Sequence, residues 1–194
     1  MACVQRYYPF IPFYNRAVSL SSKNKLNFFC KTLDKPIDLC YYGIWMRTLR
    51  LHFDGSISNP NPGGNAAWGF YITDNMEVVA EGTGPLAGNP LISNNYAELF
   101  ALHKGLEKVK EIVSQSEEKY QLMVFGDSQL VINIMTKKWG IDPEKLYYPA
   151  YLMARDSTVC IRKKNILVSF DWIPREYNTK ADELSRWQQY ELVH

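Results

Sequence analysis

Residues 49–72 read LRLHFDGSISNPNPGGNAAWGFYI. Leu49, Leu51 and Phe53 alternate with Arg50, His52 and Asp54, the period of a half-buried strand. Gly55 and Ser56 break that pattern, and the Asn-Pro-Asn-Pro-Gly-Gly run turns the chain. Residues 66–72 then form a second apolar run. The segment therefore predicts two neighbouring strands, the first ending in an aspartate beside a tight turn. A carboxylate in that place is positioned to face a ligand.

Working outward, the first sheet strands are expected at 49–54, 66–73 and 76–83. Leu99, Leu102, Leu106, Val109 and Val113 recur at helical spacing and predict an amphipathic helix over 94–113. YQLMVFGD reads as a buried strand ending at Asp127, and SQLVINIMTKKW as a helix with Ser128 near its start. Residues 143–157 are expected to be helical, NILVSFDWIP to be a strand and TKADELSRWQQYEL to be a closing helix. This order predicts an α/β domain with a mixed sheet covered by helices. Internal repeats and low-complexity runs are absent from the sequence.

At 194 residues, 46% hydrophobic and 22% charged, the chain suits one globular domain with an appendage. It has no run of 18 apolar residues, so a membrane is not expected as a partner. Cys3, Cys30, Cys40 and Cys160 lack zinc-ligand spacing and are expected to be reduced thiols in an intracellular, cytoplasmic monomer. The net charge of +2 is unevenly spread. Residues 1–48 carry seven Lys/Arg against two Asp, a net of +5, which leaves −3 on residues 49–194. Three readings of residues 1–48 compete: an acid-poor organellar targeting segment, a nucleic-acid-binding arm of aromatics and cations, and an extension packed on the domain. Residues 49–194 are expected to form the main folded domain.

Four acids stand at corresponding places in that domain: Asp54 and Asp127 at strand ends, Glu98 and Asp182 in first helical turns. In open sheets, ligands bind at the carboxyl ends of strands and neighbouring helix starts. Four converging carboxylates would repel one another and raise their pKa values, and divalent cations with oxygen ligands remove that conflict. Each acid also has an ordinary reading. Asn95 as a helix cap with Glu98 at the third position forms a capping-box variant, and Thr179 with Asp182 fits the scheme less well. Asp54 could initiate a turn, and Asp127-Ser128 could cap a helix.

The ordered segments DGSISNPNPGG, AAWGFYI, SNNYAEL, FGDSQLVI and WIPREYNTKADEL resemble the motifs of the type 1 ribonuclease H family, over about residues 49–190. The resemblance implies a five-stranded mixed sheet with helices on both faces. It implies hydrolysis of the RNA strand of RNA–DNA hybrids, leaving 5′-phosphate and 3′-hydroxyl ends. Asp54, Glu98, Asp127 and Asp182 would be catalytic ligands for two Mg²⁺ ions, with Mn²⁺ as a substitute. Backbone at Gly55 and Ser56, with Asn94, Asn95 and Gln129, would contact substrate and sense the ribose 2′-OH. Arg175 and Asn178 are further substrate-binding candidates.

The sequence departs from better-known bacterial members in two ways. IPREYNTKAD has no histidine before the last aspartate, which resembles a short-loop subgroup found among archaeal and plant-like relatives. The basic protrusion is reduced to Lys137, Lys138 and Trp139, with Trp139 readable as core or as a DNA platform. Two rival functions stand beside the nuclease: a catalytically weak or inactive nucleic-acid-binding module, and a DNA nuclease or integrase-like transferase on the same fold.

Overall fold

The structure is a computed structural model that describes residues 46–86 and 91–186. The readings of residues 1–48 therefore fall almost wholly outside the described residues, as do Cys3, Cys30, Cys40 and the last part of the closing helix. The described elements run β1 (Met46–Ile57), β2 (Ala66–Asp74), β3 (Glu77–Leu86), α1 (Asn94–Ser114), β4 (Lys119–Gly126), α2 (Gln129–Met135), α3 (Tyr148–Arg162), β5 (Leu167–Trp172) and α4 (Thr179–Ser185). A single 3-10 turn, Arg175–Tyr177, precedes α4.

The strands form one five-stranded sheet in the order β3-β2-β1-β4-β5. β1, β2 and β3 make an antiparallel meander, while β4 pairs in parallel with both β1 and β5. The alternation read in residues 49–54 sets the layers. Leu49, Leu51 and Phe53 are buried in a core shared with Leu99, Leu102 and Leu106 of α1, Val131 of α2 and Ala154 of α3. The opposite side of β1 carries His52 and Asp54, and there α4 lies against β1 and β2. The expected mixed sheet with helices on both faces is what the chain forms.

Several boundaries differ from the sequence reading. β1 runs from Met46 to Ile57 rather than 49–54, because its pairing with β2 continues to Ile57↔Ala66 after its pairing with β4 stops at His52↔Phe125. Asp54 thus sits where β1 outruns β4, not at a strand terminus. β3 starts at Glu77 because Asn75 and Met76 form the connecting turn with φ of 49° and 73°. α2 ends at Met135, capped by Thr136 ahead of Lys137 at φ 59°. α3 starts at Tyr148 with Pro149 in its first turn, where a missing N–H costs nothing, so the helical stretch expected at 143–157 moves five residues on. Trp139 is 51% exposed, which removes the core reading for it.

Two polar ties hold the frame. Arg47 at the start of β1 pairs with the buried Asp74 at the end of β2 and with Glu118 beside β4. Between α1 and α3, Ser157 Oγ donates to Glu107 Oε1 at 2.6 Å and lies 3.0 Å from His103 Nδ1.

Gly69 of β2 lets α4 approach the sheet. A methyl group there would lie 2.5 Å from the Leu184 carbonyl carbon and 2.6 Å from Leu184 Cβ. Gly69→Ala is therefore expected to lower stability by ~1–3 kcal/mol in denaturant melts, because helix backbone cannot yield as a flexible side chain can.

Candidate active site

Asp54 and Asp127 come from adjacent parallel strands, so their backbones leave the sheet side by side. Asp127 directly follows β4, and the next residue, Ser128, caps α2 by accepting from the Val131 N–H. α1 brings Glu98 to the same place. Ser93 caps that helix, accepting from Tyr96 N at 3.3 Å, which puts Glu98 in the second turn. Asn95 is thus a helical residue and not the expected cap. Close approach of α1 to β1 requires Gly55: a Cβ there would fall on the Ala97 carbonyl carbon and the Glu98 nitrogen.

The result is a cluster in which one carboxylate oxygen each from Asp54, Glu98 and Asp127 lies within 4.8 Å of the others. A cavity of about 220 Å³ opens onto them, lined also by Gly55, Ser56, Ile57, Asn94 and Arg175. Asp54 and Glu98 are buried, at 5% and 6% exposure. Burial, with smaller contributions from Asp127 and Asp182, pushes the Asp54 carboxyl up to about 7 against the opposing hydrogen bond from Ser185. Burial, then the charges of Asp54 and Asp127, pushes Glu98 well above the usual carboxylate range, opposed by Arg175 and the Gly55 N–H.

These shifts set a pH dependence. A carboxyl raised on folding stabilises the fold while protonated, and that contribution is lost as pH rises through the folded value. His52 and His103 are lowered by burial and pull the opposite way below about 6.5. The acids should therefore dominate on the alkaline side. Stability of the metal-free protein is expected to drop by about 1 kcal/mol or more between pH 6.5 and 8, read from urea melts.

Asp182, expected with the other three, stands apart. It lies in the first turn of α4, where Arg175 and Arg186 both pair with its carboxylate, the latter at 2.6 Å. Two guanidinium groups satisfy its charge, so it has no need to join the cluster. Its charge still reaches Asp54 and adds to that group's raised pKa.

Of the expected substrate contacts, Gly55, Ser56, Asn94 and Arg175 line the cavity, whereas Asn95 and Gln129 do not. Asn178 is corrected most clearly. It is completely buried and cannot meet a substrate; its Nδ2 donates instead to Phe53 O at 2.9 Å and Asp127 Oδ1 at 3.3 Å. Ser185 plays the matching part for Asp54, with its Oγ 2.6 Å from Asp54 Oδ2. Sequence reading missed Ser185; the available signal was its place three residues after Asp182 on one helix face. Trp172 also acts here, its Nε1 donating to Asp127 O at 2.9 Å.

The donor set suits a hard divalent cation. It is all carboxylate oxygen, and Glu98 Oε2 is buried without a hydrogen-bond partner. A family model described as reverse transcriptase-like matches residues 52–188. The chain belongs to that ribonuclease H-like family. Bifunctional protein Rv2228c of Mycobacterium tuberculosis is 30% identical over 134 residues, covering 68% of this chain and 32% of that protein. The chain thus spans about a third of the length of the first curated relatives it matches.

Among solved structures of the family, ribonuclease H1 of the halophilic archaeon Halobacterium salinarum aligns with a TM-score of 0.62 at 26% identity, over 74% of this chain and 98% of that one. LC11-RNase H1, isolated from compost and solved in complex with an RNA/DNA hybrid, aligns with a TM-score of 0.56 at 25% identity, over 70% of this chain and 92% of that one. Among the described residues, no helix is long and apolar enough to cross a membrane.

Proposed function

We propose that this chain is a divalent-metal-dependent endoribonuclease that cleaves the RNA strand of RNA–DNA hybrids. The observation that carries the reading is the convergence of Asp54, Glu98 and Asp127 on one cavity that Ser56, Asn94 and Arg175 also line. Two of these acids are held above their usual range, so a bound cation relieves a conflict that folding creates.

The three carboxylates would hold Mg²⁺, with Mn²⁺ as a substitute, and Asp182 would join them when substrate draws Arg175 or Arg186 away. When bound, the metal supplies an activated water and neutralises charge on the leaving oxygen, which gives 5′-phosphate and 3′-hydroxyl products. The protein groups do the rest. Ser185 fixes the rotamer of Asp54, Asn178 fixes Asp127, and the Gly55 N–H opposes the repulsion at Glu98. Asn94 and the Gly55–Ser56 backbone face the cavity and present donors and acceptors to a ribose 2′-OH. Arg175, 67% exposed at its side chain, can leave Asp182 for a phosphate. The chain lacks a histidine in the 173–182 loop, so proton transfer there falls to solvent.

Capture of Asp182 by two arginines favours one alternative, a catalytically weak or inactive hybrid-binding module. A labelled panel of RNA–DNA, RNA–RNA, DNA–DNA and single-stranded RNA, in Mg²⁺ and in Mn²⁺, separates the two. RNA-strand cleavage confined to the hybrid, with 5′-phosphate ends, supports the nuclease. Hybrid binding without cleavage in either metal supports the module, and cleavage of DNA supports the transferase-like rival.

A further inference from the structure

Four buried side-chain polar atoms among the described residues have no hydrogen-bond partner: His52 Nδ1, Asp74 Oδ1, Glu98 Oε2 and Asn178 Oδ1. Asp74 is paired with Arg47 through its other oxygen, and Glu98 faces the acidic cavity. His52 and Asn178 are left, one a ring nitrogen able to carry a proton and the other a pure acceptor. They are neighbours: the Asn178 carboxamide is held 2.9 Å from Phe53 O, the carbonyl of the residue after His52, within hydrogen-bonding reach of the His52 ring.

We propose that His52 Nδ1–H donates to Asn178 Oδ1, and thereby fixes which end of the Asn178 carboxamide meets Asp127. The two ends of a carboxamide have nearly the same shape, so packing alone selects neither. As placed, Nδ2 serves Phe53 O and Asp127 Oδ1 together. A flipped amide would set its oxygen against a carbonyl and a carboxylate. A donor on Oδ1 specifies the productive end from the other side, and His52 is the buried donor available.

The surroundings of His52 suit this role. Its ring lies against Tyr71, with centroids 4.6 Å apart and 9° between the planes, and against Phe125 at 4.9 Å and 30°. These neighbours on β2 and β4 hold the ring plane. A neutral imidazole carries one ring proton, so this hydrogen bond also selects the tautomer. His52 is a positioning residue, reaching the site through Asn178 in the way that a ligand's outer hydrogen-bond partner does. Sequence patterning gave His52 only as the polar member of an alternation.

The tautomer is measurable on the full metal-free chain without substrate, so it tests the inference apart from the nuclease reading on which its kinetic consequence rests. Long-range ¹H–¹⁵N spectra at pH 7.5, with His52 assigned by substitution, are expected to show the proton on Nδ1. A proton on Nε2 overturns the proposal. If hybrid cleavage is found, His52→Phe, which keeps the stack but removes the donor, should raise the Mg²⁺ concentration for half-maximal rate about tenfold with KM for hybrid unchanged. Adding His52→Phe to Asn178→Ala should change nothing more, whereas full additivity of the two contradicts the coupling.

Discussion

Asp127→Asn is expected to leave a folded protein whose hybrid cleavage falls by more than ~100-fold, beyond the usual effect of losing a ligand's outer partner. The substitution keeps the shape and the hydrogen bond from Asn178 is replaced by a weaker or repulsive one, so the site loses both a charge and an orientation. Metal-free stability should not suffer in parallel. Removing one of three clustered carboxylates relieves repulsion on Asp54 and Glu98, both of which feel the charge of Asp127. Asp182→Asn offers the contrast. Asp182 is outside the cluster and paired with Arg175 and Arg186 until substrate draws one of them away, so its loss should cost less than that of Asp127, about 10–100-fold. Steady-state rates on a labelled hybrid, with thermal melts in chelator, check both halves of the expectation. Equal losses for the two variants would mean that the cluster and Asp182 act as one unit in the reaction.

Gly55→Ala should damage rate and fold together. The new methyl would lie 2.6 Å from Ala97 O and closer still to the neighbouring backbone of α1, where no side chain can rotate aside. α1 must then move off β1 and take Glu98 with it. Overpacking of this kind costs about 1–3 kcal/mol, and a misplaced catalytic group of about 1 Å costs on the order of 100-fold in rate. Denaturant melts and hybrid cleavage measured on one preparation read the two effects. Retention of both would show that α1 can slide without disturbing the cluster.

Much of the architecture was legible because hydrophobic spacing is a direct record of burial. The 2-residue period of Leu49, Leu51 and Phe53 and the helical spacing of Leu99, Leu102 and Leu106 named residues that are all buried in one core. Lengths were less legible. β1 extends to Ile57 because β2 continues to pair with it, and nothing local in Gly55-Ser56-Ile57 announces that partner. α3 was displaced because Pro143 reads as well as Pro149 for a helix start, and only the three-dimensional turn at 142–148 separates them.

The site divides in the same way. Asp54, Glu98 and Asp127 were readable from motif order, and the topology brings them together. Asp182 reads as a fourth member by motif order, although Arg175 and Arg186, at seven residues before and four after, compete for its charge. Asn178 reads as a substrate contact because an amide beside a catalytic motif looks alike whether it points outward or inward. Burial decides the direction, and no spacing in NTKAD reports it. Ser185 and His52 escaped for a related reason: each turns a buried polar atom toward partners distant in sequence.

Asp54, Glu98 and Asp127 would form a cation site whose charge conflict the metal resolves. Calorimetric titration of Mg²⁺ into the metal-free chain at pH 7, repeated in buffers of different ionisation enthalpy, tests it most directly. With Asp54 held near 7 and Glu98 above its usual range, binding must displace protons. Mg²⁺ is expected to bind with measurable proton release, both abolished by Asp127→Asn and largely kept by Asp182→Asn. Binding without proton release, or binding that survives Asp127→Asn, would contradict it.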